Sequence, residues 1–179
     1  MSIGDKDNSV GVKVFHDFLN DDECNVLINH LEGMEEGWGN SNQLRKMSFN
    51  PESEEIKRLV LKCLDKVKEV YGDNLFVAEY LLSFYSTGYA MNIHTDLEDG
   101  KDHFQVSVVT YLNSDFTGGD IVFPLLNFRY SPKKGDIAIF LSKPEENIHG
   151  VEVVTSGKRY VMPIWITDQE EHAFDFIHN

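Results

Sequence analysis

The sequence predicts a mainly β fold with flanking helices. In this α+β arrangement a double-stranded β-helix, the jelly roll of cupin-like proteins, carries N-terminal helices packed on one sheet. Helical periodicity is confined to residues 15–72, whereas residues 77–167 read as short extended runs separated by turn signals. The length of 179 residues and a hydrophobic content of 41% suit one domain with a sizeable core. We therefore expect residues 1–179 to form a single domain.

The front part of the chain holds two predicted helices. The first covers residues 21–33, where Asp21 or Asp22 can cap the start and Gly33 can end the helix. The second covers residues 51–72, which begin with a proline suited to a first helical turn and end with a glycine. Apolar residues recur at helical spacing along this second segment, with charged residues opposite them. We expect this apolar stripe to face the core.

Eight strands are predicted in the back part of the chain, the number that a double-sheet jelly roll uses. They cover residues 78–86, 89–96, 104–113, 119–124, 128–132, 136–142, 147–154 and 159–166. Between the two helices, residues 37–50 show no clear period. We interpret this segment as a loop or lid that closes over a site in the β region.

The composition weighs against several kinds of partner. The formal net charge is −14, and an acidic surface repels phosphate backbones, so nucleic acid is not expected. No apolar run is long enough to span a membrane, and the N-terminus lacks the apolar region of a signal peptide. Cys24 and Cys63 lie among apolar helix residues without metal-type spacing, which predicts buried free thiols. We expect a cytoplasmic protein that is a monomer or a homodimer.

The short stretch NIHTDLED holds two potential metal ligands. His94 and Asp96 are two residues apart, and on a strand such residues point to the same face. A third ligand must come from elsewhere, and His149, 53 residues after Asp96, is the candidate. Two histidines and one carboxylate on one face of a metal are typical of non-haem Fe(II) oxygenases. The short motif by itself leaves a capping or loop role open.

A late strand carries an arginine among apolar side chains. Arg159, Val161, Pro163 and Trp165 share one face of this strand, where a charged group is costly to bury unless it is paired. No acidic residue of the same strand can pair with Arg159, and a guanidinium prefers a bidentate carboxylate. A small dicarboxylate ligand would supply that partner.

These residues stand within a longer ordered pattern. The segment TYLNSDFTGGDIVFP is followed by SPKKGDIAIF, then by His149 and Arg159. In this order the elements resemble the Fe(II)- and 2-oxoglutarate-dependent dioxygenases, and most of all their prolyl 4-hydroxylase branch. The resemblance extends from HDFLNDDECNVL to Trp165, which is most of the chain.

The resemblance implies a role for each candidate residue. His94, Asp96 and His149 match the iron ligands of the family. Arg159 matches the residue that pairs with the distal carboxylate of 2-oxoglutarate, whereas the adjacent Lys158 is expected to face solvent.

Two tyrosines and one loop complete the implied site. Tyr85 and Tyr111 match positions that line the cosubstrate pocket, and an ordinary core tyrosine with a satisfied hydroxyl is the alternative for each. The segment LRKMSF, within the predicted loop 37–50, resembles the arginine-containing loop of the family.

The resemblance implies hydroxylation of a C–H bond, with 2-oxoglutarate and O2 converted to succinate and CO2 and with ascorbate as a candidate reductant. Asp96 is a full carboxylate, whereas halogenating relatives have a small residue there, so we expect hydroxylation. The implied substrate is a proline in a peptide or protein. One alternative is the same chemistry on a free amino acid or another protein side chain. The other is a non-catalytic jelly-roll binding module, against which the complete residue set weighs.

Other conspicuous residues are interpreted as structural. Gly118 and Gly119 are expected to give a turn the positive φ that it needs. Trp165 is predicted to pack in the core rather than to take part in catalysis, and His103 is predicted to be a surface or loop histidine.

Overall fold

The computed structural model describes residues 7–9, 11–34, 38–39, 45–97 and 100–178. Three helices are present in these ranges: α1 (Asp21–Gly33), α2 (Glu54–Tyr71) and α3 (Asp175–His178). The strands are β1 (Asp7–Ser9), β2 (Val12–Phe15), β3 (Trp38–Gly39), β4 (Arg45–Phe49), β5 (Phe76–Ser86), β6 (Met91–His94), β7 (Phe104–Tyr111), β8 (Thr117–Gly118), β9 (Ile121–Phe123), β10 (Phe128–Tyr130), β11 (Ile137–Leu141), β12 (His149–Val151), β13 (Val154–Ser156) and β14 (Lys158–Thr167). Single 3-10 turns lie at Pro124–Leu126, Glu145–Asn147 and Glu170–His172.

The strands form two facing antiparallel sheets and a small ribbon. The larger sheet has the order β1-β2-β11-β7-β14-β5-β4-β3, and the smaller has the order β10-β9-β12-β6. β8 and β13 form the ribbon. Each of the eight predicted strands is represented, although the predicted strand 147–154 divides between β12 and the start of β13. The predicted jelly roll with flanking helices is therefore confirmed.

The larger sheet separates two apolar clusters. On one face, α1 and α2 pack against side chains of β5, β7, β11 and β14, so the helices cover this sheet as predicted. On the other face, residues of the larger sheet meet Ile121 and Phe123 of the smaller sheet. β14 contributes to both, because successive side chains of a strand point to opposite faces. Its residues Met162 and Ile164 face the helices, whereas Val161 faces the smaller sheet.

The first helix covers the predicted residues but has a different cap. The Asn20 side chain accepts a hydrogen bond from the Glu23 backbone N–H at 3.0 Å. The Glu23 carboxylate accepts one in return from the Asn20 backbone N–H, also at 3.0 Å. This reciprocal capping box satisfies two donors that the helix cannot satisfy internally. The prediction of Asp21 or Asp22 as the cap was therefore wrong, because Asn20 caps the helix and is paired with Glu23.

The second helix begins later than predicted. It starts at Glu54, not at Pro51, whose carbonyl oxygen instead accepts a hydrogen bond from the Tyr80 hydroxyl at 2.7 Å. The helix ends as predicted at Gly72, where φ is 104°. Within the described ranges, no helix has the length and apolar character that crossing a membrane requires.

The segment between the helices differs from the prediction of a loop. Residues 45–49 form β4, which pairs with β5 through Lys46 opposite Phe84 and Ser48 opposite Leu82. Backbone pairing to a distant strand leaves no local period in the sequence, which is why the pattern did not indicate a strand. Residues 37 and 40–44 of the predicted lid lie outside the described residues.

Candidate active site

The pairing of β6 with β12 brings two of the predicted metal ligands together. His94 and His149 are opposite each other in this antiparallel pair, and their ring centroids are 4.5 Å apart. Phe123 and Phe140 pack on the His149 ring at centroid distances of 5.2 Å and 4.9 Å. His149 is thus a buried side chain with a fixed ring plane, and His94 is more accessible.

Asp96 completes the cluster from a turn, not from a strand. β6 ends at His94, so the predicted arrangement of both residues on one strand face was wrong in detail. The Asp96 side chain nevertheless turns toward the histidines. Its Oδ1 lies 3.6 Å from His94 Nε2 and its Oδ2 lies 4.0 Å from His149 Nε2. One potential ligand atom from each of the three residues lies within 4.8 Å of the others.

Backbone carbonyl groups fix the tautomer of both histidines. His94 Nδ1 lies 2.9 Å from the Asn92 carbonyl oxygen, and His149 Nδ1 lies 3.1 Å from the Asn147 carbonyl oxygen. A carbonyl oxygen only accepts hydrogen bonds, so each Nδ1 must carry a proton. In the neutral rings Nε2 therefore keeps its lone pair, and in both residues it faces Asp96. This is the form in which imidazole binds a metal.

The electrostatics of the cluster favour the protonation states that metal binding requires. Burial opposes the ionisation of Asp96, but the nearby imidazoles of His94 and His149 and the hydrogen bond from Ser107 outweigh it and lower the pKa of the carboxyl group. Burial is also the main cause that lowers the pKa of His149, against the opposing effect of Asp96. A carboxylate and neutral imidazoles are the ligands that a divalent cation needs.

Arg159 is buried with an unused donor. Its side chain is 2% exposed, and the guanidinium carbon lies 5.2 Å from the ring centroid of Tyr111 and 5.6 Å from that of Tyr85. Among the described residues, no carboxylate lies within salt-bridge distance of Arg159, and its Nε has no hydrogen-bond partner. Among carboxylates, the charge of Asp120 acts on the pKa of Arg159, but this carboxylate is paired with Arg129 at 2.8 Å. An anion is the missing partner of this side chain.

Tyr111 is buried, Tyr85 faces the cavity and Lys158 faces solvent. The Tyr111 hydroxyl is fully buried without a partner, and burial raises its pKa to about 12, so it stays protonated at neutral pH and can donate a hydrogen bond. Tyr85 lines the cavity and stacks on Tyr89 at 4.7 Å. Lys158 points away, with a side chain 45% exposed that pairs with Glu32 at 2.9 Å. The predicted register of this strand is therefore correct.

A cavity of about 440 Å³ lies next to these side chains; Tyr85 and Arg159 line it, whereas Tyr111 is not among its lining residues. Its wall includes His94, Asp96 and His149 together with Arg159, which lies on the same strand face as Val161, Pro163 and Trp165. The prediction of Trp165 as a core residue was wrong, because its indole is only half-buried, lines the cavity and stacks on Phe104 at 5.8 Å. A ring at the end of a barrel strand can be apolar without being part of the core.

His103 lies in a turn as predicted, but its ring is partly covered. It stacks on His172 with centroids 4.1 Å apart. Burial and the neighbouring His172 and Lys101 lower its pKa. No local pattern predicts this contact, since the two histidines are far apart in the chain.

Sequence reasoning missed three contributors to the cavity. Ser107, in the apolar run of β7, donates a hydrogen bond to Asp96 Oδ2 at 2.6 Å. A polar residue at an inward position of a buried strand was the available signal. Glu79 and Lys101 form an ion pair on the cavity wall, joining β5 to the turn before β7. Their contact depends on tertiary structure and left no local pattern.

Gly119 makes room for the buried arginine. Its φ is 68°, as predicted for the turn, and a Cβ atom there would lie 2.9 Å from Arg159 Cδ. The glycine is thus needed for space as well as for backbone conformation. The need for space could not be predicted from the sequence, because it arises only where β14 lies beside this turn.

A family model matches the β region of the chain. Residues 80–167, which include all six predicted site residues, match the 2OG-Fe(II) oxygenase superfamily. The predicted resemblance to the Fe(II)- and 2-oxoglutarate-dependent oxygenases is therefore confirmed, and the cofactors of that superfamily, Fe(II) and 2-oxoglutarate, are those predicted from the sequence. Within this superfamily its named relatives are prolyl hydroxylases, the branch that the sequence resembles.

The relatives match over only part of their length. The chain is 29% identical over 72 residues to a putative prolyl 4-hydroxylase of Acanthamoeba polyphaga mimivirus, covering 36% of this chain and 30% of that protein. It is 41% identical over 71 residues to human prolyl 3-hydroxylase 3, covering 37% of this chain and 10% of that protein.

A solved structure extends the similarity of fold to most of the chain. It is a prolyl hydroxylase from Trichoplax adhaerens in complex with a peptide fragment of the hypoxia inducible factor oxygen degradation domain. The match has a TM-score of 0.72 and 18% identity, and covers 92% of this chain and 87% of that one. At this identity the similarity concerns the fold.

Proposed function

We propose that the protein is an Fe(II)- and 2-oxoglutarate-dependent oxygenase that hydroxylates proline in a peptide or protein. The observation that carries this proposal is the shared cavity. A cluster of His94, Asp96 and His149 and an unpaired buried Arg159 line the same wall. Neither feature alone would support the reaction. The metal site needs 2-oxoglutarate bound beside it, and the guanidinium can bind an anion but not a metal.

In this proposal the three clustered residues hold the iron through the two Nε2 atoms and one carboxylate oxygen. The bound metal would supply the oxidising chemistry, in which one atom of O2 enters succinate as 2-oxoglutarate loses CO2 and the other atom is inserted into a C–H bond of the substrate. The contribution of the chain is to present three ligands in the correct protonation state and to leave the remaining positions open. The preset tautomers of both histidines support this assignment.

Arg159 would bind the distal carboxylate of 2-oxoglutarate. Its Nε lacks a partner, and the buried Tyr111 hydroxyl beside it also lacks one. Two unsatisfied donors next to each other fit a carboxylate, which has two oxygens to accept their hydrogen bonds. Tyr85, on the cavity wall next to the guanidinium, would border the cosubstrate.

The substrate side of the proposal rests on the other end of β14. Trp165 faces the cavity and is stacked on Phe104, which makes an apolar surface that a pyrrolidine ring can lie against. The named relatives act on proline according to their names, and the peptide complex of the Trichoplax enzyme shows such a fold with a peptide. With a net charge of −14, neutral and basic peptides are expected to bind better than acidic ones.

The test is a peptide panel. Iron-loaded protein is incubated with 2-oxoglutarate and proline-containing peptides, and mass spectrometry locates any added oxygen atom while succinate is quantified. We expect an oxygen on proline, at C4, in proportion to succinate; the prolyl 3-hydroxylase relatives make C3 the other position to examine. The Asp96→Ala variant is the blank. Proline peptides that give no product above this blank would contradict the substrate assignment.

A second candidate function is the same chemistry on a free amino acid. The ion pair of Glu79 and Lys101 on the cavity wall favours it, because a zwitterionic head group could bind to both charges. Free proline and other amino acids therefore belong in the same panel as the peptides. If they are hydroxylated and peptides are not, this second function replaces the first. Absence of succinate with every compound would favour the non-catalytic binding module.

A further inference from the structure

The Asp96 carboxylate is held by a chain of hydroxyl groups behind the cluster. Its Oδ2 accepts a hydrogen bond from Ser107 Oγ at 2.6 Å, and Ser107 Oγ lies 2.8 Å from Ser142 Oγ. Ser107 and Ser142 are 2% and 6% exposed, so bulk water does not compete for these contacts. The result is a buried row of three side chains that ends at the proposed iron site.

The direction of the hydrogen bonds in this row is determined. An ionised carboxylate only accepts, so the single Ser107 hydroxyl proton must be directed to Asp96. The bond between the two serines must then be donated by Ser142. Such a chain polarises each successive group, and a bond to an ionised acceptor is among the strong ones.

The backbone of the larger sheet fixes both serines. Ser107 lies in the middle of β7, where it is opposite Phe140 of β11 on one side and Trp165 of β14 on the other. The Ser142 backbone N–H donates to the Gln105 carbonyl oxygen at 2.9 Å, which anchors it directly after β11. Asp96, by contrast, lies in a turn after β6. The serines therefore connect Asp96, the one candidate ligand that lies in a turn, to hydrogen-bonded strands of the larger sheet.

We infer that Ser107, oriented by Ser142, is a positioning residue that retains Asp96 Oδ2, so that the carboxylate binds the metal through Oδ1 alone. This inference rests on the proposed iron site. A carboxylate that bound through both oxygens would use an additional coordination position. In an octahedral site with two histidines and a chelating 2-oxo acid, that is the position dioxygen needs. Ser107 thus keeps one position free.

The test compares three serine variants in metal affinity and in metal spectrum. Ser107→Ala removes the donor, Ser107→Thr retains a hydroxyl, and Ser83→Ala is the matched control. Ser83 is also a wholly buried strand serine, but its hydroxyl has no partner. Calorimetry gives the Kd for Mn(II), and the visible spectrum of the Co(II)-loaded protein reports the coordination number, both without turnover.

We expect Ser107→Ala to weaken Mn(II) binding by about 10-fold or more, within the range known for the loss of a partner that orients a metal ligand. Its Co(II) spectrum should shift toward a higher coordination number. Ser107→Thr and Ser83→Ala should match the wild-type protein in both measurements. Thermal melts of the metal-free variants identify any general loss of folding, and if Ser107→Ala does not fold, Ser142→Ala, which removes the orienting donor, is measured in its place.

An unchanged Kd and spectrum in Ser107→Ala would overturn the inference. So would an equal effect in Ser83→Ala, because the change would then reflect strand packing and not the hydrogen bond. Failure of the proposed function has a different signature. In that case Asp96→Ala would bind Mn(II) as tightly as the wild-type protein, or peptides would fail as substrates although Ser107→Ala alters the spectrum.

Discussion

Replacing the buried arginine should affect stability and ligand binding in opposite directions. Arg159 is 2% exposed and its Nε has no partner, so the metal-free protein bears the cost of a buried charge without full compensation. Methionine has a similar length and no charge. We expect Arg159→Met to raise the free energy of unfolding of the ligand-free protein by about 1 kcal/mol or more, since the desolvation of a buried ion costs several kcal/mol and no carboxylate offsets it here.

The same change should remove most of the 2-oxoglutarate affinity. A guanidinium can donate two hydrogen bonds to one carboxylate, and hydrogen bonds to charged groups contribute about 1.5–3 kcal/mol each, so the loss of both costs about 3 kcal/mol or more. That is roughly a hundredfold increase in Kd. At a concentration where 2-oxoglutarate stabilises the wild-type protein by about 2.7 kcal/mol, the variant should gain only about 0.4 kcal/mol.

The assay is calorimetry of Mn(II)-loaded protein, with 2-oxoglutarate titrations for Kd and thermal scans with and without ligand. Lys158→Met is the matched control. Its side chain is 45% exposed and pairs with Glu32 on the surface, so it should change Kd little and stability by less than about 1 kcal/mol. If Arg159→Met retains wild-type affinity, or if Lys158→Met loses it, the anion is not held by the buried guanidinium.

Three further changes test other parts of the structure. Gly119→Ala should raise the Kd of 2-oxoglutarate by roughly 10-fold, because the added Cβ would lie 2.9 Å from Cδ of the buried Arg159 at a φ of 68°. Gly72→Ala is the control, since its φ is 104° and no atom lies within 4 Å of an added Cβ. It should lower the free energy of unfolding through a similar backbone strain, by about 1–3 kcal/mol, and leave the Kd unchanged. The free energy of unfolding of the metal-free protein should fall as the pH is lowered through 6.5. The pKa of His149 lies below this usual value in the folded protein, so the unfolded chain takes up the proton first. His149→Gln should flatten this part of the pH profile in urea titrations. Below pH 3.8 the lowered pKa of Asp96 adds a second decrease of the same sign. Asn20→Ala should destabilise the protein by about 1 kcal/mol in the same titrations, and a change near zero would show that the capping box contributes nothing.

The features that could be predicted from the sequence are those with a local or periodic signature. The alternation along β14 placed Arg159 and Val161 on the cavity side, and the structure agrees because a strand cannot rotate one residue without its neighbours. The convergence of His94, Asp96 and His149 was also anticipated, although from residue types and resemblance, not from distances.

The features that were missed depend on partners distant in the chain. The sequence pattern predicts a loop at β4, because the strand character of this segment comes from pairing with β5. Ser107 has significance only beside Asp96, and Gly119 only beside Arg159. Trp165 was assigned to the core because an apolar residue on an inward strand face packs in most proteins, whereas here that face ends in a cavity. Periodicity gives the face on which a side chain lies but not what occupies the space opposite it.

The way the two histidines are oriented has a consequence for how the surrounding sequence can vary. Each ring is held by a main-chain carbonyl two residues earlier, and every residue type provides such an oxygen. Asn92 therefore serves His94 through its backbone while its side chain is exposed and borders the cavity. Position 92 can change without disturbing the orientation of the ligand beside it. New substrate preferences could accordingly evolve, or be selected from a library, at a residue adjacent to the metal centre while the centre itself is inherited intact.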